Sequence, residues 1–360
     1  MKFKTTPILA ILLIFTACVQ NPPKPVAPNP KPDMQVTDSL GRVVTFDQLP
    51  QRIVITGKGL FMLADAAYLF PEASERIVGL GNAGQGNRNF VQMIDPAFSD
   101  KTILENDAGA DQIAALQPDL VLLKSYLAET IGAPIEALGI PVVYVDFETP
   151  EQYARDLAIL GVIFGDETLA AEIASAYEDK MTFILNVVQD AYKPSTLLLY
   201  YTEKDGNVAF NVPPKGWIQT RMVEMAGGDP VWMDANPGSG WTQVSLEQIA
   251  AWNAEEIFIV SYTENSSDVV SMLLEDPNWQ VLRAAQENGL HAFPGDYYSW
   301  DQPDPRWILG LSWLAGRLHP ELFPNLNMIE AARDFFQTNY RLDAAAFDQV
   351  LLPNLRGDLP

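Results

Sequence analysis

The chain has 360 residues, 23 Lys and Arg against 46 Asp and Glu, a net charge of −23, two histidines and one cysteine. That length suits two domains or lobes with ample core, and 48% apolar against 19% charged residues excludes a disordered chain. The acidity counts against nucleic acid as a partner, the lone cysteine excludes a disulfide framework or Cys-based zinc site, and two histidines leave little for a transition-metal centre.

Lys2 and Lys4 precede an apolar run over residues 7–15 (PILAILLIF), and Thr16-Ala17-Cys18 follows. A basic head, a short apolar core and a small residue before the cut describe a secretory signal. The run is too short to span a bilayer, which takes about 20 residues. Cys18 stands at the expected cut, so the segment resembles a bacterial lipobox, with Phe15 where Leu is usual, and Cys18 is expected to carry lipid. Residues 1–17 read as signal. Residues 18–33, rich in proline, read as a semi-rigid polyproline spacer behind that anchor. The address is extracytoplasmic, tethered to the cell membrane.

From residue 34 the chain opens with a hairpin, strands over 34–37 and 42–46 around a turn at Asp38-Ser39-Leu40-Gly41. Strands at 52–56 and 77–80 enclose a helix over 60–69, and strands at 120–124 and 142–146 enclose one over 129–138. Alternation at this spacing implies βαβ units and a largely parallel sheet, and the apolar runs suit burial on both faces. Residues 149–190 read as helix only. Thr149, Pro150 and Gln152 mark an N-terminus as cap, first residue and third, and a long helix covers 167–188. Strands return at 196–201, 257–261 and 290–293. The divisions are 34–148 for a first α/β lobe, 149–192 for a helical connector, 193–324 for a second lobe and 325–360 for a helical tail, for which the sequence suggests no function.

The two lobes echo each other. Residues 109–124 read GADQIAALQPDLVLLK and residues 245–260 read SLEQIAAWNAEEIFIV. In register, Asp111 falls on Glu247 and Asp119 on Glu255. Two readings stand: a common helix–strand unit met twice, or a duplicated lobe with an acidic residue at the same helix start.

Together VTDSLGRVVTF before QRIV, DQIAALQPDLVLL, IEALGIPVVYVDFETPEQYARDLAILGVIFG, WTQVSLEQIAAW and GDYYSWDQPDPRWILGLSWLAGRLHPELF resemble class III (cluster A) substrate-binding lipoproteins of ABC importers. That family serves ferric siderophores, haem and corrinoids, and in some branches molybdate or tungstate. The resemblance implies an α/β fold of two parallel-sheet lobes joined by one long rigid helix, with the ligand in the cleft between them. It also implies an importer's permease and ATPase as partners, a monomer, no resident cofactor, and docking of the permease by one acid on each lobe, here Asp111 and Glu247.

Ligand contacts in such lobes come from loops at the carboxyl ends of the strands. Those loops offer Lys58, Arg88 at the end of a Gly/Asn-rich stretch from residue 81, and Tyr126. On the second lobe they offer Tyr201, Trp217, Arg221, Trp241, Tyr298, Trp300 and Arg306. Aromatic faces with scattered cations suit a large, flat anionic ligand. His291 and His319 read as structural, so any metal is expected to arrive inside a chelator. The favoured function is capture of a ferric siderophore or corrinoid. The alternative on the same fold is molybdate or tungstate held by the glycine-rich loop. A remote alternative is a secreted glycoside hydrolase using Asp296 and Asp301 beside Trp300, although no nucleophile elbow or HExxH helix supports chemistry.

Overall fold

Two α/β lobes make up the body of the molecule. The computed structural model describes Met1 and residues 34–85, 88–105 and 107–359, so the signal run, Cys18 and the proline spacer lie outside the described residues. The first lobe opens with an antiparallel hairpin, β1 (Met34–Thr37) and β2 (Val43–Phe46). Its sheet holds β3 (Ile53–Ile55), β4 (Ile77–Gly81), β5 (Thr102–Leu104), β6 (Leu120–Lys124) and β7 (Val142–Val145), all parallel, in the order β5-β4-β3-β6-β7. β3, β6 and β7 are buried along their whole length, as expected of strands covered by helices on both faces. Each fully buried Val, Leu or Ile adds about 1.5–3 kcal/mol of transfer free energy.

The second lobe carries β8 (Ser195–Lys204), β9 (Asn207–Val212), β10 (Asp229–Pro230), β11 (Thr242–Val244), β12 (Glu256–Val260) and β13 (Leu290–Ala292). The order is β11-β9-β8-β12-β13, with β10 beside β8. β8, β12, β13 and β10 run parallel, whereas β9 folds back antiparallel from β8 and β11 pairs with it. That antiparallel edge is the part of the largely parallel expectation that the sequence did not locate. The turn at Asp205-Gly206, both at positive φ, reverses the chain as a hairpin requires.

Two helices connect the lobes. Pro150–Phe164 starts at Thr149, whose side chain accepts from Gln152 N, and ends at Gly165 with φ +80°. Glu167–Val188 follows, capped by Asp166. The tail is a strap between the lobes. Its helix Met328–Tyr340 sends the Tyr340 hydroxyl to Asp65 O, and Arg341 donates to Tyr68 O and Leu69 O, all in the first lobe. Farther on, the tail's Asp358 accepts from Ala292 N and the Trp313 indole, both in the second lobe.

The echoed segments fold alike. Ala110–Ala114 leads into β6 and Leu246–Trp252 into β12. Asp119 accepts from Gln51 N and Arg52 N at 2.7 and 2.8 Å where β3 begins, and Glu255 accepts from Ser195 N at 2.9 Å where β8 begins. Each acid pins the start of the neighbouring central strand. No helix among the described residues is long and apolar enough to cross a membrane.

Candidate functional site

Parallel strands end on a common edge, and the loops leaving that edge in the two lobes face each other across a cleft of about 270 Å³. From the first lobe come Gly59 and Met62 after β3, Lys124 and Tyr126 after β6, and Glu148 after β7. Gly59 sits at φ +67°, where a side chain would be strained, and a Cβ there would lie 3.2 Å from the Tyr126 hydroxyl, so glycine suits both the left-handed turn and the close approach. Lys124 is buried. Its Nζ donates to Asp146 O and pairs with Glu148 Oε1 at 2.7 Å. The loop that delivers Glu148 is held from behind by the fully buried Asp156, which accepts from Asp146 N and Phe147 N at 2.7 and 2.8 Å. Phe147 has φ +54°, a strained conformation for a bulky side chain that persists where its surroundings fix it.

From the second lobe come Trp217, Gln219, Trp241, Tyr262, Gln302 and Pro303. Trp217 and Trp241 meet edge to face at 5.6 Å, and Tyr200 packs on Trp241 at 4.9 Å and on Tyr262 at 4.3 Å. Behind this wall Asp301 is fully buried and accepts from the Tyr262 hydroxyl at 2.7 Å and Gln219 Nε2 at 3.3 Å. Burial pushes the Asp301 carboxyl up to about 6, so it is mostly ionised at neutral pH. Among the described residues no cluster of His, Cys, Asp and Glu could hold a bare metal ion.

Of the expected ligand contacts, Tyr126, Trp217 and Trp241 line this cleft. Lys58 is exposed beside it, its carbonyl accepting from the Tyr126 hydroxyl. The others lie elsewhere, each for a physical reason. Tyr201 is buried, donating to Glu203 and packing on Phe210. Successive strand residues face opposite sides, so its neighbour Tyr200 joins the aromatic wall instead. Arg221 is exposed on the helix Ile218–Met225 and pairs with Glu224 at 3.1 Å and Glu151 at 3.9 Å. It rims a separate apolar groove of about 850 Å³ along the connecting helices, away from the strands' carboxyl ends.

Arg88, Tyr298, Trp300 and Arg306 belong to a seam between the lobes. Arg88 reaches the Asp296 carbonyl at 3.5 Å. Tyr298 is fully buried, donates to Ala83 O and accepts from Phe90 N. The Trp300 indole donates to Asp296 at 2.8 Å. Arg306, fully buried, pairs with Asp296 of its own lobe at 2.9 Å and with Asp65 of the first lobe at 2.5 Å, and lies over the Phe90 ring at 4.2 Å. That guanidinium is engaged by protein carboxylates through Nε and Nη1, and its remaining nitrogen Nη2 is buried without a partner among the described residues. The described part of the glycine-rich loop is turned the same way, Gln85 bonding Gln302 across the seam at 2.9 Å. The carboxylates offered for hydrolysis are also spoken for: Asp296 by Arg306, and Asp301 by Tyr262 and Gln219.

Lys124, Glu148, Gln219, Tyr262, Gln302 and Tyr200 were not among the expected contacts. Two of them carried a signal: Tyr262 is the first residue after the expected strand at 257–261, and Tyr200 differs from Tyr201 only in strand parity. Asp111 and Glu247 are exposed at the starts of their helices, and Glu247's own backbone N–H, with Ser245, holds its carboxyl below the usual range. Each short helix turns back into the strand it precedes, so its start lies at the strands' carboxyl edge, the edge that bears the cleft.

A family model described as periplasmic binding protein matches residues 75–297. The molybdate-binding protein MolA of Haemophilus influenzae is 24% identical over 344 residues, covering 87% of this chain and 94% of MolA. Its crystal structure with molybdate superposes with a TM-score of 0.71 at 22% identity, covering 86% of this chain and 99% of that one. CeuE of Helicobacter pylori, in its nickel–histidine complex, superposes with a TM-score of 0.68 at 18% identity, covering 89% of this chain and 99% of CeuE.

Proposed function

Because this chain belongs to the periplasmic binding protein family, and so is an extracytoplasmic solute-binding protein and not an enzyme, we propose that it captures a compact metal chelate in the cleft and delivers it to an ABC importer. The observation that carries this reading is the lining of the cleft. Its walls are the rings of Trp217, Trp241 and Tyr262, and its one buried cation, Lys124, is neutralised by Glu148 at 2.7 Å. Aromatic faces suit a flat or conjugated ligand, and a paired lysine offers little to a dianion. The volume, about 270 Å³, lies below the roughly 300–1,000 Å³ of drug-sized pockets. That counts against a corrinoid or a large siderophore and favours a metal ion held by one or two amino acids, the size of the nickel–histidine unit named for CeuE.

The second reading is an oxyanion of the molybdate class. It is favoured by the similarity that runs along 94% of MolA and would require Lys124 to leave Glu148. Tryptophan fluorescence of the full chain, titrated in turn with nickel–histidine, a ferric siderophore, cobalamin, molybdate and tungstate, separates the readings. Saturable quenching by nickel–histidine supports the compact chelate. A response to the oxyanions alone replaces it with the second reading, and tight binding of cobalamin overturns the size argument.

The protein is tethered through Cys18 and docks its importer through Asp111 and Glu247. Cys18→Ser is expected to release it from the membrane fraction; persistent anchoring overturns the lipobox. Charge reversal at Asp111 and Glu247 together is expected to abolish uptake with ligand affinity intact, and lost affinity would place these acids at the ligand.

A further inference from the structure

We propose that Asp301 is a positioning residue that sets the hydrogen-bond polarity of the cleft floor, so that the site selects ligands whose buried face carries N–H or O–H donors and rejects fully deprotonated oxyanions. This deepens the compact-chelate reading and rests on the cleft being the ligand site.

The argument is one of donors and acceptors. Asp301 is fully buried and its Oδ2 takes two hydrogen bonds, from the Tyr262 hydroxyl at 2.7 Å and from Gln219 Nε2 at 3.3 Å. An ionised carboxylate only accepts. The Tyr262 proton is therefore committed to Asp301, and the phenolic oxygen keeps only lone pairs for the cleft. The Gln219 amide is likewise fixed with its NH₂ toward Asp301, since the reverse orientation would set two acceptors against each other. Its Oε1 is then the free end, and that atom is buried with no hydrogen-bond partner among the described residues. Gln219 and Tyr262 both line the cleft. A buried acceptor without a donor is costly, and because Gln219 Oε1 is closed off as the structure stands, a ligand donor meets it only when that side chain turns; the Tyr262 oxygen offers its lone pairs to a donor, whereas an oxyanion meets lone pairs facing lone pairs. The amine and imidazole N–H groups of a histidine chelate meet this requirement; molybdate, with four bare oxygens, does not.

The Asp301→Asn variant has nearly the same shape and no charge: its carbonyl oxygen can stand where Oδ2 stands and accept from both Tyr262 and Gln219, so it keeps the polarity of the floor and removes only the titration. The probes are the bis-histidine complex of cobalt(III), which is inert and so survives a pH series, and molybdate. The wild-type full chain is expected to bind the cobalt complex at least tenfold tighter than molybdate, with affinity falling as the pH drops through about 6 and Asp301 takes up a proton. In Asp301→Asn the preference is expected to persist and the pH dependence to vanish. Tyr262→Phe, which keeps the ring and removes the acceptor, is expected to lose several-fold for the cobalt complex and to gain for molybdate, and serves where Asp301→Asn fails to fold.

A pH profile surviving in Asp301→Asn, or affinity for both probes unchanged in Tyr262→Phe, overturns the assignment to Asp301. Tighter binding of molybdate than of the complex by the wild type also overturns it. Trp217→Ala and Trp241→Ala report on the underlying reading: if they retain the cobalt complex, the ligand does not lie in this cleft and both readings fall. If they lose it while Asp301→Asn keeps the wild-type pH profile, only the polarity assignment falls.

Discussion

The cleft and the seam beside it are built from the same residue types, aromatic rings, carboxylates and a buried cation, and come to opposite ends. In the seam, Arg306 answers Asp65 and Asp296 at once, packs on Phe90 and Tyr298, and has no exposure to solvent. In the cleft, Lys124 has a single carboxylate partner on the half-exposed Glu148, the rings of Trp217 and Trp241 are half-buried, and an acceptor oxygen of Gln219 has no partner. A cation met by protein carboxylates on both sides holds two lobes together. The seam too leaves polar atoms unpaired, Arg306 Nη2 and Asp65 Oδ1 among them, but on residues with no exposure, whereas the half-buried rings of the cleft stay open to a ligand.

Removing the seam's cation should separate the two most clearly. Arg306→Met leaves Asp65, Asp296 and Asp304 facing one another without compensation, and breaking a buried charge network in this way costs about 3–5 kcal/mol. Denaturant unfolding is expected to show that loss. A change below about 1 kcal/mol would mean that the seam does not clamp the lobes.

The seam also predicts how stability varies with pH. Burial pushes Asp65 up to about 7 and Asp304 up to about 8, against the pull of Arg306. A carboxyl whose value is higher in the folded state keeps a proton that the unfolded chain has released. Its contribution is therefore full in acid and is lost as the pH rises from about 4 through the folded values, by about 1.4 kcal/mol per proton and pH unit. His291 is also raised by its carboxylate partners Asp358 and Glu256, despite burial, and adds a slope of the same sign. Unfolding midpoints between pH 5 and 8 should fall, and less so in Asp304→Asn; an unchanged slope in that variant would assign the effect to Asp65 and His291.

The cleft should respond in affinity instead. Trp241→Ala removes the ring that touches Tyr200 and Trp217 and is expected to weaken ligand binding tenfold or more, about 1.4 kcal/mol. Titration of the wild type and the variant checks this, and equal affinities would move the site elsewhere. The smallest effect expected is a gain. Glu148→Gln frees Lys124 from its counter-charge, so molybdate should bind several-fold tighter than to the wild type. No gain would show that Lys124 does not face the ligand.

The βα alternation, the long helix at 167–188 and the cap at Thr149 were all legible in the sequence, because apolar periodicity and capping act within a few residues. The echo of the two lobes was legible too, and it located Asp119 and Glu255 at equivalent places before their shared task at the strand starts was visible. The antiparallel excursion of β9 and β11 was not. Neither was the tail's role, since Tyr340 and Arg341 find their partners about 270 residues away in sequence.

For the site, the sequence located the loops and decided little about the side chains within them. It ranked residues by chemical type, which made Arg306 and Trp300 attractive and Gln219 and Glu148 unremarkable. A side chain's chemistry is set by its local covalent structure, but whether it is free to meet a ligand depends on what the opposite lobe places against it. Family, lobes and connector follow from local pattern. The split between a closed seam and an open cleft is a property of the tertiary structure, because only there are the charges of both lobes counted together.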